Sequence, residues 1–336
     1  MARQVNIGLW YDFRNPAPWT VPFGQLYERA LEQIAGAEAL GFDSVWLTEH
    51  HFCDDGYTPS PLVIASAIGA RTKRMRIGTN LMILPLHDPV RIAEDSATLS
   101  LLTGGRFDLG VGIGYRALEF CEFGRELKHR PSLVEEGITL IRKAWAGEPL
   151  DFVGKRFVHG KVRVMPTPES TPKLYLGGMV EPAIERAARI ADGFLSTGGI
   201  GHDVYLESLR KLGRRPEDGA IVAGHWAIIS EDPEREAAIV GPHVLYQANL
   251  YIEWGAFGPP ESVPRFPDAK TAIEQGLYEL WDGDTAVEKL TALLRQYPQI
   301  KDLHLWAQFP GEPIESGQRR IEYIAKHVLP RVRAAL

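Results

Sequence analysis

Cysteine is scarce in the 336-residue chain, which contains only Cys53 and Cys121. Two cysteines allow at most one disulfide, and no C-x-x-C pair is present, so we expect a protein of a reducing compartment. The first residues also lack the apolar core and the small-residue cleavage site of a secretory signal peptide. Together these features predict a cytoplasmic protein.

Blocks of basic residues and long apolar runs are lacking as well. The 37 Lys and Arg residues are outnumbered by 43 Asp and Glu residues, which gives a formal net charge of −6. Surfaces that bind nucleic acid are normally basic. No stretch approaches the roughly 20 apolar residues of a membrane-spanning helix. We therefore expect neither a nucleic-acid partner nor a membrane partner.

Short apolar runs alternate with amphipathic stretches along the chain. The pattern predicts eight strands, from Val5–Tyr11 to Asp302–Trp306, separated by helices. Such alternation produces a parallel sheet, and eight units can close into a (β/α)8 TIM barrel. An open doubly wound sheet is the alternative, but the motif G-x-G-x-x-G is absent after the first strand. We predict an α/β protein with a single barrel domain over residues 1–336.

Two segments interrupt this alternation and are interpreted as insertions in the barrel. In residues 151–164, Gly154 and Gly160 lie among apolar residues, which predicts a β-hairpin. Residues 255–270 are rich in proline and glycine and follow neither a helix nor a strand period. We interpret this second segment as a lid over the active site, with a surface loop as the alternative.

Active sites of such barrels lie at the C-terminal ends of the strands, so residues there are the candidates for chemistry. The second predicted strand ends in Glu49, His50 and His51. A metal-dependent hydrolase is one class with a histidine-rich barrel mouth, but adjacent histidines at a strand end point to opposite sides. Since neither H-x-H nor H-E-x-x-H occurs, we predict no metal site.

Glycines mark the ends of two other predicted strands. Gly177 and Gly178 directly precede a predicted helix, whose free N–H groups can bind a phosphate. A simple tight turn is the alternative for this pair. Gly110, Gly112 and Gly114 remove side chains beside the same region, which leaves space for a flat ligand against the backbone. Ordinary barrel packing would also account for these three glycines.

Four stretches, in chain order, resemble the bacterial luciferases and the luciferase-like flavin-dependent monooxygenases. The matching stretches are Phe42–Phe52, Ile77–Arg91, Leu101–Gly112 and Lys173–Phe194. This resemblance implies an enzyme that uses reduced FMN and molecular oxygen, through a flavin peroxide, to oxidise a small organic substrate. His50 matches the histidine that assists this step, and its neighbours Glu49 and His51 are further candidate catalytic residues.

The resemblance also implies a flavin pocket and a non-prolyl cis peptide between Asn80 and Leu81. The residues that would bind the cofactor are Trp10, Asn80, Leu81, Gly112, Ile113, Tyr115, Gly177, Gly178, Met179 and Val180. Trp226 and Trp306, at the ends of later strands, are candidate walls of an aromatic substrate pocket.

Two positions depart from the family pattern. Many members have a phosphate-binding arginine where this chain has Ile113, and nearby Arg116 is a candidate replacement. Val180 and Ala183 stand where some luciferases have hydroxyl residues, so backbone N–H groups of residues 178–180 would bind the phosphate. We therefore expect a dissociable reduced FMN, supplied by a separate flavin reductase as partner.

Two further functions remain open from the sequence. The family also contains enzymes that use a reduced deazaflavin and transfer hydride without activating oxygen. The intact stretch Glu49–Phe52 favours FMN over a deazaflavin. The missing arginine supports a third alternative, a flavin-binding protein without turnover. The resemblance also predicts a homodimer.

Overall fold

Eight parallel strands form a closed barrel in the computed structural model, which describes residues 4–336. The strands of the barrel and its insertions are, in chain order, β1 (Asn6–Tyr11), β2 (Ser44–Leu47), β3 (Arg76–Thr79), β4 (Met82–Ile83), β5 (Phe107–Gly112), β6 (Phe152–Val153), β7 (Val158–His159), β8 (Leu174–Gly177), β9 (Gly193–Thr197), β10 (Ile221–His225), β11 (Ala227–Ile229), β12 (Glu279–Trp281) and β13 (Ile300–Trp306). Around the ring the order is β1, β2, β3, β5, β8, β9, β10 and β13, and β13 pairs with β1. The predicted (β/α)8 barrel is confirmed.

Helices alternate with these strands along the chain. They are α1 (Phe23–Ala39), α2 (Pro61–Arg71), α3 (Pro89–Leu102), α4 (Ala117–Glu122), α5 (Arg130–Trp145), α6 (Glu181–Ile190), α7 (His202–Lys211), α8 (Pro233–Trp254), α9 (Ala269–Glu274), α10 (Gly283–Gln296), α11 (Ile314–His327) and α12 (Leu329–Ala335). Proline begins α2, α3 and α8, because its missing N–H has no helical partner in the first turn. Within residues 4–336, none of the helices combines the length and hydrophobicity needed to cross a bilayer.

Large aromatic side chains fill the inside of the barrel. Trp10, Trp46 and Tyr175 are all buried there. The buried carboxylate of Asp302 accepts hydrogen bonds from Trp46 Nε1 and Ser44 Oγ, each at 2.9 Å. A buried polar group with such partners avoids the cost of desolvation without compensation. The barrel interior is thus closely packed beneath its C-terminal end.

The two interrupting segments each have local structure. Strands β6 and β7 pair antiparallel, as the glycine pattern of residues 151–164 predicts. The proline-rich segment leaves α8 at Gly255, which has a φ of +83° that favours glycine. It contains a short 3₁₀ helix over Pro260–Ser262. The side-chain amide of Asn249 bonds both the N–H and the carbonyl of Phe266 and so attaches this segment to α8.

Two predicted elements are divided in the structure. The seventh predicted strand, Ala220–Ile229, is broken at Trp226, and β11 beyond it pairs with β12 outside the barrel. The closing helix predicted over Glu315–Leu329 ends instead at His327. The next helix begins at Leu329, and Pro330 lies in its first turn, since a proline there can neither donate to nor fit against the carbonyl four residues earlier.

Candidate active site

A cavity of about 370 Å³ lies at the C-terminal ends of the barrel strands. Its wall comes from the strand ends, the start of α6 and the C-terminal end of α8 with the segment that follows. Every predicted cofactor or catalytic residue except His51 lines it: Trp10, Glu49, His50, Asn80, Leu81, Gly112, Ile113, Tyr115, Gly177, Gly178, Met179 and Val180. Cavities of this size are typical of small-molecule sites. The roles of these residues in binding and catalysis stay predictions.

His50 is held between a carboxylate and a phenol. Its Nδ1 lies 2.8 Å from Glu119 Oε1, and its Nε2 lies 3.1 Å from the hydroxyl of Tyr115. Because a carboxylate only accepts, the imidazole proton is on Nδ1, and Nε2 accepts from Tyr115. Glu119 also accepts from the backbone N–H of His51 at 2.9 Å. This arrangement fixes both the orientation and the tautomer of His50.

His51 points away from the cavity, toward Glu49 and His87. Its Nε2 lies 3.3 Å from Glu49 Oε1, and His87 Nε2 donates to the same oxygen at 2.7 Å. Burial alone would raise the pKa of Glu49, but the two imidazoles lower it to about 2. Burial lowers the pKa of His87, yet Glu49 outweighs this effect and the net pKa is raised. The group behaves as a buried ion pair that supports the strand end.

The same three side chains are also the group that could hold a metal ion. Their nearest ligand atoms all lie within 4.8 Å of one another. Two imidazoles and a carboxylate are a common donor set for divalent transition metals. In the structure, however, the carboxylate of Glu49 is already shared between His87 and the backbone N–H of Ile83. His50 and His51 do point to opposite sides, as their adjacency predicts.

The peptide between Asn80 and Leu81 is cis, as the family resemblance implies. The carbonyl of Asn80 accepts from Trp10 Nε1 at 3.2 Å, and the Asn80 amide donates to His304 Nε2 at 2.7 Å. These two contacts fix the backbone and the side chain of Asn80 at the cavity floor. The sequence places His304 near the end of the eighth strand, but its contact with Asn80 was not predicted, because no local pattern connects the two residues.

Close packing explains the glycines in the cavity wall. A Cβ at Gly112 or Gly177 would come within 2.6 Å of the Leu81 side chain. A Cβ at Gly178 would lie 2.5 Å from the Cβ of Ala183 in α6. Helix α6 begins without a side-chain cap, but Pro182 has no N–H and the N–H of Ala183 donates to the carbonyl of Val180. An anion would therefore meet the helix dipole and the N–H groups that precede Pro182. The glycines therefore bring backbone, Leu81 and a helix start close together.

Arg116 is not placed where it could replace the missing phosphate ligand. Its guanidinium donates to the carbonyls of His51 and Phe52 and lies 4.6 Å from the ring of Trp254. The arginine that lines the cavity is Arg130, at the start of α5. The expectation for Arg116 is therefore wrong, because its side chain is directed to the backbone carbonyls of residues 51 and 52 and does not line the cavity.

Arg130 has capacity for an anionic ligand. One terminal nitrogen donates to the carbonyl of Gly114 at 2.8 Å. Its Nε is buried and has no hydrogen-bond partner within the described residues. Burial lowers the pKa of Arg130, so an anion beside it would favour its charged form. Sequence inspection missed this residue because it lies on a helix, sixteen positions after Gly114.

Aromatic side chains form the other side of the cavity. Trp226 lines it as predicted, together with Tyr57, Tyr251 and Phe257, which were not predicted. The hydroxyls of Tyr57 and Tyr251 lie 2.8 Å apart. Trp306 is not among the lining residues, since it is stacked against Trp10 with ring centroids 4.5 Å apart. The expectation that Trp306 forms a cavity wall is therefore wrong.

A (β/α)8 barrel with this cavity at its C-terminal end defines a small-molecule enzyme of the barrel class. The sequence matches the luciferase-like monooxygenase family model over residues 7–288. The chain belongs to this family, as its motifs indicate, and is an oxidoreductase of the luciferase-like type.

Relatives with assigned activities include several F420-dependent glucose-6-phosphate dehydrogenases. The enzyme of Nakamurella multipartita is 31% identical over 320 residues, covering 89% of this chain and 90% of that protein. The enzyme of Mycolicibacterium fortuitum is 30% identical over 335 residues, covering 92% and 95%.

Solved structures with the same fold include enzymes of two kinds. Monooxygenase RslO1 from Streptomyces bottropensis superimposes with a TM-score of 0.81 at 22% identity, covering 97% of this chain and 99% of that one. An F420-dependent secondary alcohol dehydrogenase gives a TM-score of 0.75 at 20% identity, covering 98% and 99%. At these identities the structural similarity establishes the fold alone.

Proposed function

We propose that this protein is a deazaflavin-dependent oxidoreductase that transfers hydride between an F420-type cofactor and an alcohol or carbonyl substrate. The observation that carries the proposal is His50, which lines the cavity with Glu119 behind it and Tyr115 in front. The F420-dependent relatives, about a third identical over most of the chain, support the same choice. This was the alternative to the FMN-dependent monooxygenase expected from the motifs.

Alcohol oxidation requires a base that takes the hydroxyl proton as hydride leaves the carbon. Neutral His50 suits this role, because its Nε2 is the acceptor nitrogen, and the lone pair that accepts from Tyr115 becomes available to the substrate when that hydroxyl rotates away. When Nε2 is protonated, the buried carboxylate of Glu119 stabilises the imidazolium through Nδ1. In the reverse direction the same nitrogen returns the proton to the carbonyl oxygen. Glu119 thus acts as a positioning residue, and His50 as the catalytic one.

The residues present fit an anionic cofactor with a flat ring. Gly112, Gly177 and the Leu81 side chain packed against them form an apolar wall of the cavity, while α6 and Arg130 offer positive charge to an anionic chain. A bound deazaflavin would supply the hydride acceptor or donor. The chain's own contribution is to bind and orient the two reactants, to exclude water and to hold the proton at His50.

An FMN-dependent monooxygenase is the second candidate function. It is favoured by the stretch Glu49–Phe52, which is intact at the cavity edge and resembles the luciferase motif. For this function a separate flavin reductase and molecular oxygen belong to the proposal, as does a homodimer. The same His50 would then hold a proton beside the reacting flavin.

Cofactor selection is the decisive experiment. The purified protein is titrated with F420 and with FMN, each oxidised and photoreduced, and binding is followed by fluorescence. We expect tight binding of F420 and its reduction in the presence of an alcohol substrate. Binding of reduced FMN alone, with a long-lived absorbance change after mixing with oxygen, would contradict this proposal and support the monooxygenase.

The variant His50→Ala is expected to bind the cofactor but to lose turnover by about a hundredfold or more.

A further inference from the structure

The cavity has two chemically different ends. One lies where β5 and β8 end, with Gly112, Gly177, the start of α6 and Arg130. The other lies across the ring, where β1 and β10 end, and it is formed by aromatic side chains. These are Trp10, Tyr57, Trp226, Tyr251 and Phe257. We call these two regions the glycine end and the aromatic end.

The aromatic end offers no cation to a ligand. Among the cavity-lining residues that the structure describes, Arg130 is the only lysine or arginine, and it belongs to the glycine end. Glu49 also lines the cavity, but its carboxylate oxygens accept from His87 and from the N–H of Ile83. A ligand at the aromatic end therefore meets ring faces, hydroxyls and an imidazole.

Positive charge does lie behind the aromatic end, but it is already balanced. The guanidinium of Arg14 lies 4.8 Å from the ring centroid of Tyr57 and pairs with Asp55 at 2.7 Å. Arg116 is bound to backbone carbonyls and lies 3.8 Å from Glu119. Neither arginine lines the cavity. A phosphate group at the aromatic end would lose its hydration without gaining a cationic partner, which is strongly unfavourable.

The indole N–H of Trp226, at the aromatic end, is a donor that the described part of the chain does not use. The indole Nε1 of Trp226 is buried and has no hydrogen-bond partner anywhere in residues 4–336. A buried N–H without a partner is costly, so a small rotation of the indole that turns Nε1 toward a ligand oxygen in the cavity gains a hydrogen bond that the free protein lacks. Tyr57 and Tyr251, by contrast, already share a hydrogen bond through their hydroxyls.

We propose that the substrate is an uncharged, mainly apolar alcohol or carbonyl compound with an oxygen that accepts from Trp226 Nε1. It is not a sugar phosphate, although the relatives are named for glucose 6-phosphate. This inference rests on the proposed function in taking the cavity as the substrate site. It does not depend on whether the cofactor is F420 or FMN.

Binding without turnover tests the substrate class. Calorimetric titrations with 4-phenyl-2-butanone and with glucose 6-phosphate are made with whichever of oxidised F420 and FMN binds, at saturation. The bound cofactor occupies the glycine end and so leaves only the aromatic end for the probe. We expect the ketone to bind at least about tenfold more tightly than the sugar phosphate. Equal or tighter binding of glucose 6-phosphate overturns the proposal, as does failure of the ketone to bind below about 1 mM.

Two substitutions test the residues. Trp226→Phe should weaken ketone binding by about five- to tenfold through loss of one hydrogen bond, whereas Trp19→Phe, outside the cavity, should leave it unchanged. Unchanged ketone affinity in Trp226→Phe overturns the proposal.

Phe257→Lys places a cation on a cavity-lining side chain that is 40% exposed, and so tolerant of charge. This substitution should raise the affinity for glucose 6-phosphate about tenfold. An unchanged affinity would contradict the inference that the aromatic end lacks a cationic partner for the phosphate.

These outcomes separate the substrate class from the reaction. If the ketone binds as expected but neither it nor its alcohol reacts with F420, the proposed function fails and the substrate class stands. If glucose 6-phosphate binds and reduces F420, the substrate class fails and the proposed function stands.

Discussion

Glu119 acts at the scale of a single residue by holding a proton on one nitrogen of His50. In Glu119→Gln the amide retains the shape but loses the charge that stabilises the imidazolium. We expect turnover to fall by about a hundredfold, with cofactor affinity unchanged.

The matched control is Glu122→Gln, an exposed carboxylate on the same short helix. A purely structural role for Glu119 would lower the melting temperature and the cofactor affinity together with turnover. That result would remove Glu119 from the proton-transfer apparatus.

Gly178 lies where the cofactor's anionic group is proposed to meet α6. A side chain there must displace the Cβ of Ala183, and an aspartate also adds negative charge. Gly178→Asp should weaken binding of F420 or FMN at least tenfold more than the isosteric Gly178→Asn, since only charge separates the two. Fluorescence titration measures both variants. Equal affinities would contradict an anion site at this helix start.

The predictable part of the site consists of the residues that end barrel strands. Barrel geometry requires every strand to end at one rim, so Trp10, His50, Asn80 and Gly177 meet although they are distant in sequence. Glu119 and Arg130 were missed because they lie on helices, where no spacing rule relates a side chain to a strand end. The error for Arg116 has the same origin, since its sequence position gave no indication that Trp254 covers it.

At the scale of elements, the segment after α8 depends on one amide for its attachment. Asn249 bonds the N–H of Phe266 at 2.8 Å and its carbonyl at 3.0 Å. Removal of both bonds in Asn249→Ala should lower the free energy of local opening of this segment by about 1–2 kcal/mol. We expect amide exchange in residues 255–268 to accelerate about tenfold, and KM for substrate to rise with cofactor affinity unchanged.

Hydrogen exchange with mass spectrometry measures the first effect. Gln318→Ala, which removes an exposed bond to Glu322 within α11, serves as the control. Exchange that is equally fast in the wild type and in Asn249→Ala would contradict a lid that is held by this contact.

The ends of helices and strands were predictable where a proline or a glycine sets them. They were not predictable where contacts with distant segments determine whether the element forms. The end of α8 at Trp254 follows from Gly255, which adopts the left-handed conformation. Strand β12 has no comparable local signal, because it exists only as the partner of β11. Pairing between distant segments of this kind cannot be derived from the period of one of them.

At the scale of the whole molecule, the ion pair of buried Glu49 and half-buried His87 links stability to pH. The pKa of Glu49, about 2, lies below its ordinary 4.5, so its stabilising effect is present above 4.5 and lost as pH falls toward 2. The pKa of His87 is raised above 6.5, so its effect is present below 6.5 and lost as pH rises through the raised value. The pair therefore contributes most to the free energy of unfolding between pH 4.5 and pH 6.5.

Urea unfolding of the wild type and Glu49→Gln across pH checks this dependence. We expect the variant to be less stable by about 3 kcal/mol near pH 5–6, and the difference to shrink toward pH 2. Asp218→Asn breaks an exposed ion pair with Arg215 and should have little effect at any pH. A difference that does not vary with pH would show that Glu49 acts through packing alone.

The two ends of the cavity also differ in the part of the chain that supplies them. The glycine end comes from strand ends, α5 and α6, which are integral to the barrel, whereas two residues of the aromatic end, Tyr251 and Phe257, come from α8 and the insertion after it. Mutations and length changes in that insertion can accumulate without disturbing the barrel's hydrogen bonds. Descendants of one ancestral gene can thus acquire new substrates while they inherit the same cofactor, and exchange of residues 255–270 between relatives is a direct route to altered specificity.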